Sequence, residues 1–402
     1  MSVDRRAHAV LVPQAQAIGM IGVIRSLGAA GYRVHAVSSD AEALGLQSAL
    51  ATHTAVHPDY TDPAFLPWLD AYLAQHGIAA VVPSEGFLLA IEPAYDRYRA
   101  LIPDASEPEV LYRAFAKADV EAHFARHADA VVRQHLPRAA VLEAGQRLPE
   151  DTHWAEWQWP LYVKCDGRHA VGPEPDSIVR PVATPTELRE ALAQVLVTHR
   201  SAQVQETVPG VKATVNLWRH QGEVVAESMC VAMHENPHTG GLTAYRRVWW
   251  HAAMHADAVR RLQALDWAGV AMVEYRYDAA TDRFWFLELN ARYWNALNLD
   301  LLAGKDFPRY QVDAMLGLGV TTDLGPGPLG YRARYTVPAD VGYLMSRLRD
   351  ARVGAGAKLW TLVRWLGLCL NPAVHSDLWF PGDRGLYWKG WARFLGRLGR
   401  AA

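Results

Sequence analysis

Late in the chain a short apolar segment, WFLELNAR, carries a carboxylate, an amide and a guanidinium at alternate positions: Glu288, Asn290 and Arg292. Alternate residues of an extended strand share a face. These three therefore line one side, and Leu287, Leu289 and Ala291 line the other. A second apolar segment just upstream, VAMVEYRYD, carries Glu274. The short AATD connection makes the pair a hairpin, in a register that sets Glu274 opposite Glu288. Two carboxylates facing each other across a ladder repel. Two carboxylates and an amide oxygen form a hard, all-oxygen set, suited to Mg²⁺ or Mn²⁺ rather than zinc. Arg292 then stands where it could hold a phosphoryl group or a substrate carboxylate through paired N–H donors. The competing expectation is a solvated strand face with a surface ion pair. An aromatic-rich hairpin should be buried, and buried charge needs a partner.

The elements that must position this set can be read in outline. HAVLVP, YRVHAVSS and IAAVVPS read as strands, separated by helical patterns over AIGMIGVIRSLGAAG and from Asp62 to His76. This β-α-β-α order predicts a doubly wound parallel sheet in the first hundred or so residues. The loop QAQAIG after the first strand lacks GxGxxG, so a dinucleotide site is not indicated. Helical character follows from Ser106, and then the strands HLPRAAVLE and WPLYVKCDG. A helix from Thr186 to Thr198 leads to the strand SAQVQETVPG with its Pro-Gly turn. A long strand pair turns at Gln221-Gly222, and a helix is predicted from Asp257 to Leu265.

Composition narrows the partners. The chain has 402 residues, a formal net charge of −2 and three cysteines with no CxxC. It is no polycation for nucleic acid, and neither a zinc site nor a disulfide framework is suggested. No window offers the roughly 18 uninterrupted apolar residues of a membrane span, and the N-terminal apolar run is too short for a signal peptide. A cytoplasmic location is expected.

The segment from Trp285 to Tyr310, with its E-x-N-x-R strand followed by NLDLLAGKDFPRY, resembles the last strands and following helix of ATP-grasp enzymes. The proline of the family's E-x-N-P-R pattern is Ala291 here. The resemblance implies ATP and Mg²⁺ (or Mn²⁺) as cofactors, with Glu274, Glu288 and Asn290 as metal ligands and Arg292 as the catalytic group steadying the phosphoryl in transfer. It implies phosphate contacts for Lys117, where a helix begins, and for Lys164 in LYVKCDG. VQETVPG resembles the family's hinge, so Glu206, Thr207 and Val208 would meet the adenine. The family places an acid just beyond the hinge glycine, near the ribose; this chain has Val211 and Lys212. The loop after Lys164, with Arg168 and His169, holds only Gly167 and Gly172 and is poorer in glycine than the phosphate-covering loops of relatives. A Gly-Gly loop precedes Arg246 and Arg247, which the resemblance ties weakly to a carboxylate substrate; His234 and His238, at its start, do not suggest zinc. In VVPSEGFLLA, Glu85 either binds an amine or favours its helix N-terminus.

The implied fold is α/β and α+β: an N-terminal doubly wound pre-ATP-grasp domain (1–105), a two-lobed ATP-grasp domain (106–330, small lobe about 156–208) and a basic, Trp-rich helical C-terminal tail (331–402). The tail's Leu359, Leu362, Val363 and Leu366, and its Trp391, Phe394, Leu395 and Leu398, have helical spacing. These helices are expected to cap the ATP lobe, with a membrane surface, a homodimer contact or an anionic substrate as sharper readings. The implied reaction is ATP-dependent joining of a small-molecule carboxylate to an amine. The alternatives are another acceptor, such as a thiol or a small molecule to be phosphorylated, or nucleotide binding without turnover.

Overall fold

Four short strands near the N-terminus, β1 (Ala9–Val12), β2 (Arg33–Ser38), β3 (His53–Val56) and β4 (Ile78–Val81), pair in parallel in the order β3-β2-β1-β4 in this computed structural model, which describes residues 4–167 and 178–401. Alternation along each strand decides what covers it. Val10, Val12, Val34 and Ala36 meet Met20, Val23 and Leu27 of helix Ile18–Ala30. Leu11, Val37 and Val81 meet Phe65 and Leu69 of helix Phe65–His76. Helices thus lie on both faces, as the βαβ pattern requires.

A second, antiparallel sheet runs β5-β8-β6-β7, built from β5 (Ala139–Glu143), β6 (Leu161–Cys165), β7 (Ile178–Val182) and β8 (Ser201–Glu206). Leu161, Val163, Ala202 and Val204 form one face, packed on Leu188, Leu192 and Val195 of helix Pro185–Thr198. Lys164, Gln203 and Gln205 occupy alternate positions to these, on the other face.

The third sheet has the order β13-β12-β9-β10-β11-β14-β15. Its members are β9 (Val211–His220), β10 (Glu223–Asn236), β11 (Leu242–Val248), β12 (Gly269–Asp278), β13 (Arg283–Asn290), β14 (Arg332–Arg334) and β15 (Val374–Ser376). All pairs are antiparallel except β14 with β15. The β9–β10 turn has Gln221 at φ 50° and Gly222 at φ 90°, two consecutive left-handed residues that match the twist of the strands they join. At the hinge turn Gly210 (φ 103°) passes so close to β12 that a Cβ would lie 2.1 Å from the Tyr277 carbonyl oxygen.

The structure departs from the sequence reading in three places. The helix expected from Asp257 starts earlier, at Ala252, where the His251 ring caps it by accepting from the Met254 N–H at 3.1 Å. The tail is not purely helical, because β14 and β15 extend the large sheet. Its last helix, Gly385–Ala401, packs on the N-terminal layer rather than over the small antiparallel sheet, with Leu386 buried against Ile18, Ile21 and Leu44.

Polar bonds pin the same junction. Buried Arg25 reaches Asp383 at 2.9 Å, and buried Arg246 makes a two-pronged ion pair with Asp377 at 2.7 and 2.8 Å. Helix Ile18–Ala30 also abuts the large sheet's connections: Trp294 and Leu297 share its apolar cluster, and a Cβ at Gly19 would sit 2.7 Å from the Trp294 carbonyl oxygen.

Candidate functional site

On β9 and β12 every second residue is core: Ala213, Val215 and Leu217, then Ala271, Val273 and Tyr275. The intervening Lys212, Thr214, Met272 and Glu274 line a cleft. On β13 this simple alternation fails. Phe284 and Phe286 are core, but so are Leu289 and Ala291. The parity changes because Glu274 pairs with Glu288 whereas Tyr275 pairs with Phe286, which leaves Leu287 as an extra residue. This β-bulge re-aims the strand. Strict alternation from Phe284 and Phe286 would bury Glu288 in the core; the bulge puts Glu288 and Asn290 in the cleft. The register expected from the hairpin, Glu274 opposite Glu288, is present.

The two carboxylates are met by two ammonium groups from different elements. Lys117 opens helix Lys117–Ala125 and its Nζ lies 2.5 Å from Glu288 Oε2. Lys212, on β9, places its Nζ 2.9 Å from Glu274 Oε1 and donates to the Gly241 carbonyl at 2.7 Å. Burial works against ionised Glu288, but Lys117 outweighs it and holds the carboxyl down at about 2. Glu274 goes the other way: burial pushes it up, and Lys212 offsets this only in part. Asn290 Nδ2 donates to Glu288 Oε1 at 3.1 Å, while its Oδ1 accepts from Arg292 Nη2 at 2.9 Å. Its oxygen thus faces Arg292 rather than the two carboxylates.

Lys164 donates to Gln205 Oε1 at 2.5 Å, and Gln205 Nε2 donates to Glu121 Oε2 at 3.2 Å. Burial lowers the Lys164 pKa and raises that of Glu121. Glu121 sits one helical turn beyond Lys117, so one short helix reaches both antiparallel sheets, through Gln205 and through Glu288. Sequence reasoning missed Glu121 and Gln205. An i, i+4 pair after a helix start was the available signal for Glu121, and the alternation of VQETVPG for Gln205.

At the hinge, the Glu206 side chain accepts from the Gln158 N–H at 3.0 Å, and Thr207 Oγ1 donates to the Pro160 carbonyl at 2.5 Å. Both side chains therefore have partners within the protein. Arg168 and His169 lie outside the described residues. Arg246 is not in the cleft; its partner is Asp377. Arg247 lies in the β10–β11 ladder opposite Val231. His234 and His238 each have a separate carboxylate, Asp340 at 2.7 Å and Asp350 at 3.1 Å, so they do not converge.

A second cavity, of about 360 Å³, adjoins the first, sharing Arg292 and Asn295 with it. Its other wall is N-terminal: Gln14, Gly19, Ser84, Glu85 and Gly86. Glu85 opens helix Glu85–Ile91, and its Oε2 accepts from Arg292 Nε at 2.7 Å. Arg292 is thereby held between the two cavities. Lys212 is the residue the sequence reading noticed but gave no role.

No protein-family model and no curated protein matches this sequence. Solved structures do match in fold. Biotin carboxylase from Campylobacter jejuni, solved as a β,γ-ATP complex, covers 81% of this chain and 74% of its own, with a TM-score of 0.61 at 13% identity. N5-carboxyaminoimidazole synthetase from Staphylococcus aureus, complexed with ADP, covers 79% and 80%, at 0.57 and 12%. L-amino acid ligase from Bacillus licheniformis covers 76% and 73%, at 0.54 and 13%. This is the ATP-grasp fold.

Proposed function

We propose that the protein is an ATP-dependent carboxylate–amine ligase that works through an acylphosphate. The observation that carries this reading is the facing pair Glu274 and Glu288 on the cleft floor, with lysines closing on them from separate elements. The donor set fits Mg²⁺: two carboxylates, one of them firmly ionised, and an amide oxygen within one side-chain rotation. The two ammonium groups gathered there support this reading, because the facing carboxylates attract positive charge. When bound, Mg²⁺ would neutralise phosphate oxygens of ATP.

The chain's own residues do the rest. Lys117 and Lys164 hold phosphates, and the backbone of Glu206, Thr207 and Val208 meets the adenine edge. A substrate carboxylate attacks the γ-phosphorus, ADP leaves, and an acylphosphate forms. Arg292 steadies the charge on the phosphoryl group in transit. An amine then attacks the acyl carbon, phosphate leaves, and an amide remains. The second cavity, with the Glu85 carboxylate in its wall, would receive the amine. No covalent enzyme intermediate is required.

A screen of amino acids and small acids in pairs tests this, read by ADP release and by the mass of the product. A product joining two substrates supports the ligase. Mg²⁺-dependent ATP binding without ADP release from any pair favours the module without turnover, which the Lys212–Glu274 contact recommends because it already neutralises one carboxylate. ADP release with a singly phosphorylated or thioester product selects the other acceptors.

A further inference from the structure

Helix Ala355–Leu370 is built the wrong way round for a water-facing helix. Its inward side is held by polar bonds. Thr361 Oγ1 accepts from Arg347 Nε at 2.9 Å, Trp365 Nε1 donates to the Asp340 carbonyl at 3.1 Å, and the Arg334 guanidinium lies 4.8 Å from the Trp365 ring centre. Its outward side is apolar. Leu359, Trp360, Val363, Leu366 and Leu370 follow helical spacing along one face and are all exposed, Trp360 at 61% and Leu370 at 84%. Single exposed apolar residues are ordinary, but a continuous apolar stripe marks a contact surface.

Charge says what the contact is. From Val341 onward the acids are Asp350, Asp377 and Asp383 alone. Asp377 is paired with Arg246, Asp383 with Arg25, and Asp350 with Arg352 and His238. None of these three is left to balance Lys358 or Arg364, which stand on the same helix as the stripe. Arg364 lies 6.0 Å from the Trp360 ring centre, and Trp388, on the last helix, is 64% exposed. A symmetric second copy would bring this one-signed surface against itself, which repulsion opposes. A layer of anionic headgroups over hydrocarbon complements both properties. Tryptophan and arginine suit the boundary between them.

We propose that helix Ala355–Leu370 docks the protein on an anionic lipid bilayer, lying in the interface with its Leu359–Leu370 stripe in the acyl boundary. No helix among the described residues is long and apolar enough to cross a membrane, so the contact is peripheral. The inference is independent of the reaction catalysed.

Flotation of the full chain tests it, using phosphatidylcholine vesicles with and without phosphatidylglycerol. The protein is expected to float with the anionic vesicles at low ionic strength and to be released in about 1 M salt, where screening shortens to roughly 3 Å. The double variant Trp360→Asp, Leu366→Asp is expected to lose at least about tenfold in bound fraction. Both side chains are exposed, so its melting temperature and Mg²⁺-dependent ATP binding should match the parent. Three results overturn the proposal. The parent stays unbound with anionic vesicles; the double variant floats as well as the parent; or the variant instead abolishes a concentration-dependent dimer in sedimentation, meaning that a second copy covers the stripe.

Discussion

Glu288 and Glu274 are equivalent by chemistry and opposite by environment, because each has its own lysine and its own degree of desolvation. If Glu288 holds the cation of Mg-ATP, Glu288→Gln should cut ATP turnover by roughly 10²–10³. The ATP-induced rise in melting temperature should also lose its Mg²⁺ dependence, while the ligand-free protein melts nearly as before. An unchanged Mg²⁺ dependence would remove this residue from the metal site. Lys212 predicts two effects of opposite sign. Lys212→Met strands Glu274 in a buried setting, so the ligand-free protein should lose about 3 kcal/mol in a denaturant melt. The same change removes an ammonium that competes for Glu274, so Mn²⁺ should bind more tightly in the absence of nucleotide. A titration showing weaker Mn²⁺ binding would mean that Lys212 orders the site instead of competing for it.

At the scale of elements, the bulge at Leu287 and the helix after β13 do the positioning. The helix Leu297–Leu302 carries Asp300, buried beneath the cleft, which accepts from Trp294 Nε1 at 2.7 Å. Burial raises its pKa from 3.8 to about 6. The folded protein thus holds this proton over a range in which the unfolded chain has released it. The sign follows: the stability Asp300 contributes is present below about pH 4 and is lost as pH rises through about 6. The span is worth on the order of 2–3 kcal/mol. Asp300→Asn should flatten that part of the stability–pH curve, measured by urea melts from pH 4 to 7. A curve of unchanged slope would assign the titration to another group. The hairpin register was legible in the sequence because the AATD turn and the aromatic alternation agree; the bulge was not, since one extra residue leaves no mark in a local pattern.

Across the whole molecule, the C-terminal region is tied into the N-terminal layer and the large sheet by two buried ion pairs, Arg246–Asp377 and Arg25–Asp383. A broken buried pair leaves an uncompensated charge. Arg246→Met should therefore cost about 3–5 kcal/mol in a thermal or urea melt, and adding Asp377→Leu should restore most of it. Equal losses in the single and double variants would show that packing around Arg246, rather than its charge, matters. Arg246 shows why a substrate role was a tempting reading of the Gly-Gly loop. An arginine after such a loop looks free in sequence, and its buried partner lies far along the chain, at Asp377.

The amino-acid sequence alone determined the periodicities, hence the parallel N-terminal layer, the late hairpin and the facing of Glu274 with Glu288. Those rest on contacts between neighbours in the chain, where residue type and spacing suffice. Only tertiary structure decided that Lys212 meets Glu274, that Glu85 meets Arg292, that the last helix turns to the N-terminal layer, and that the Leu359, Val363, Leu366 and Leu370 stripe faces outward. Each of these depends on which distant surface wins the burial of a side chain, and that competition is settled by the packing of the whole chain.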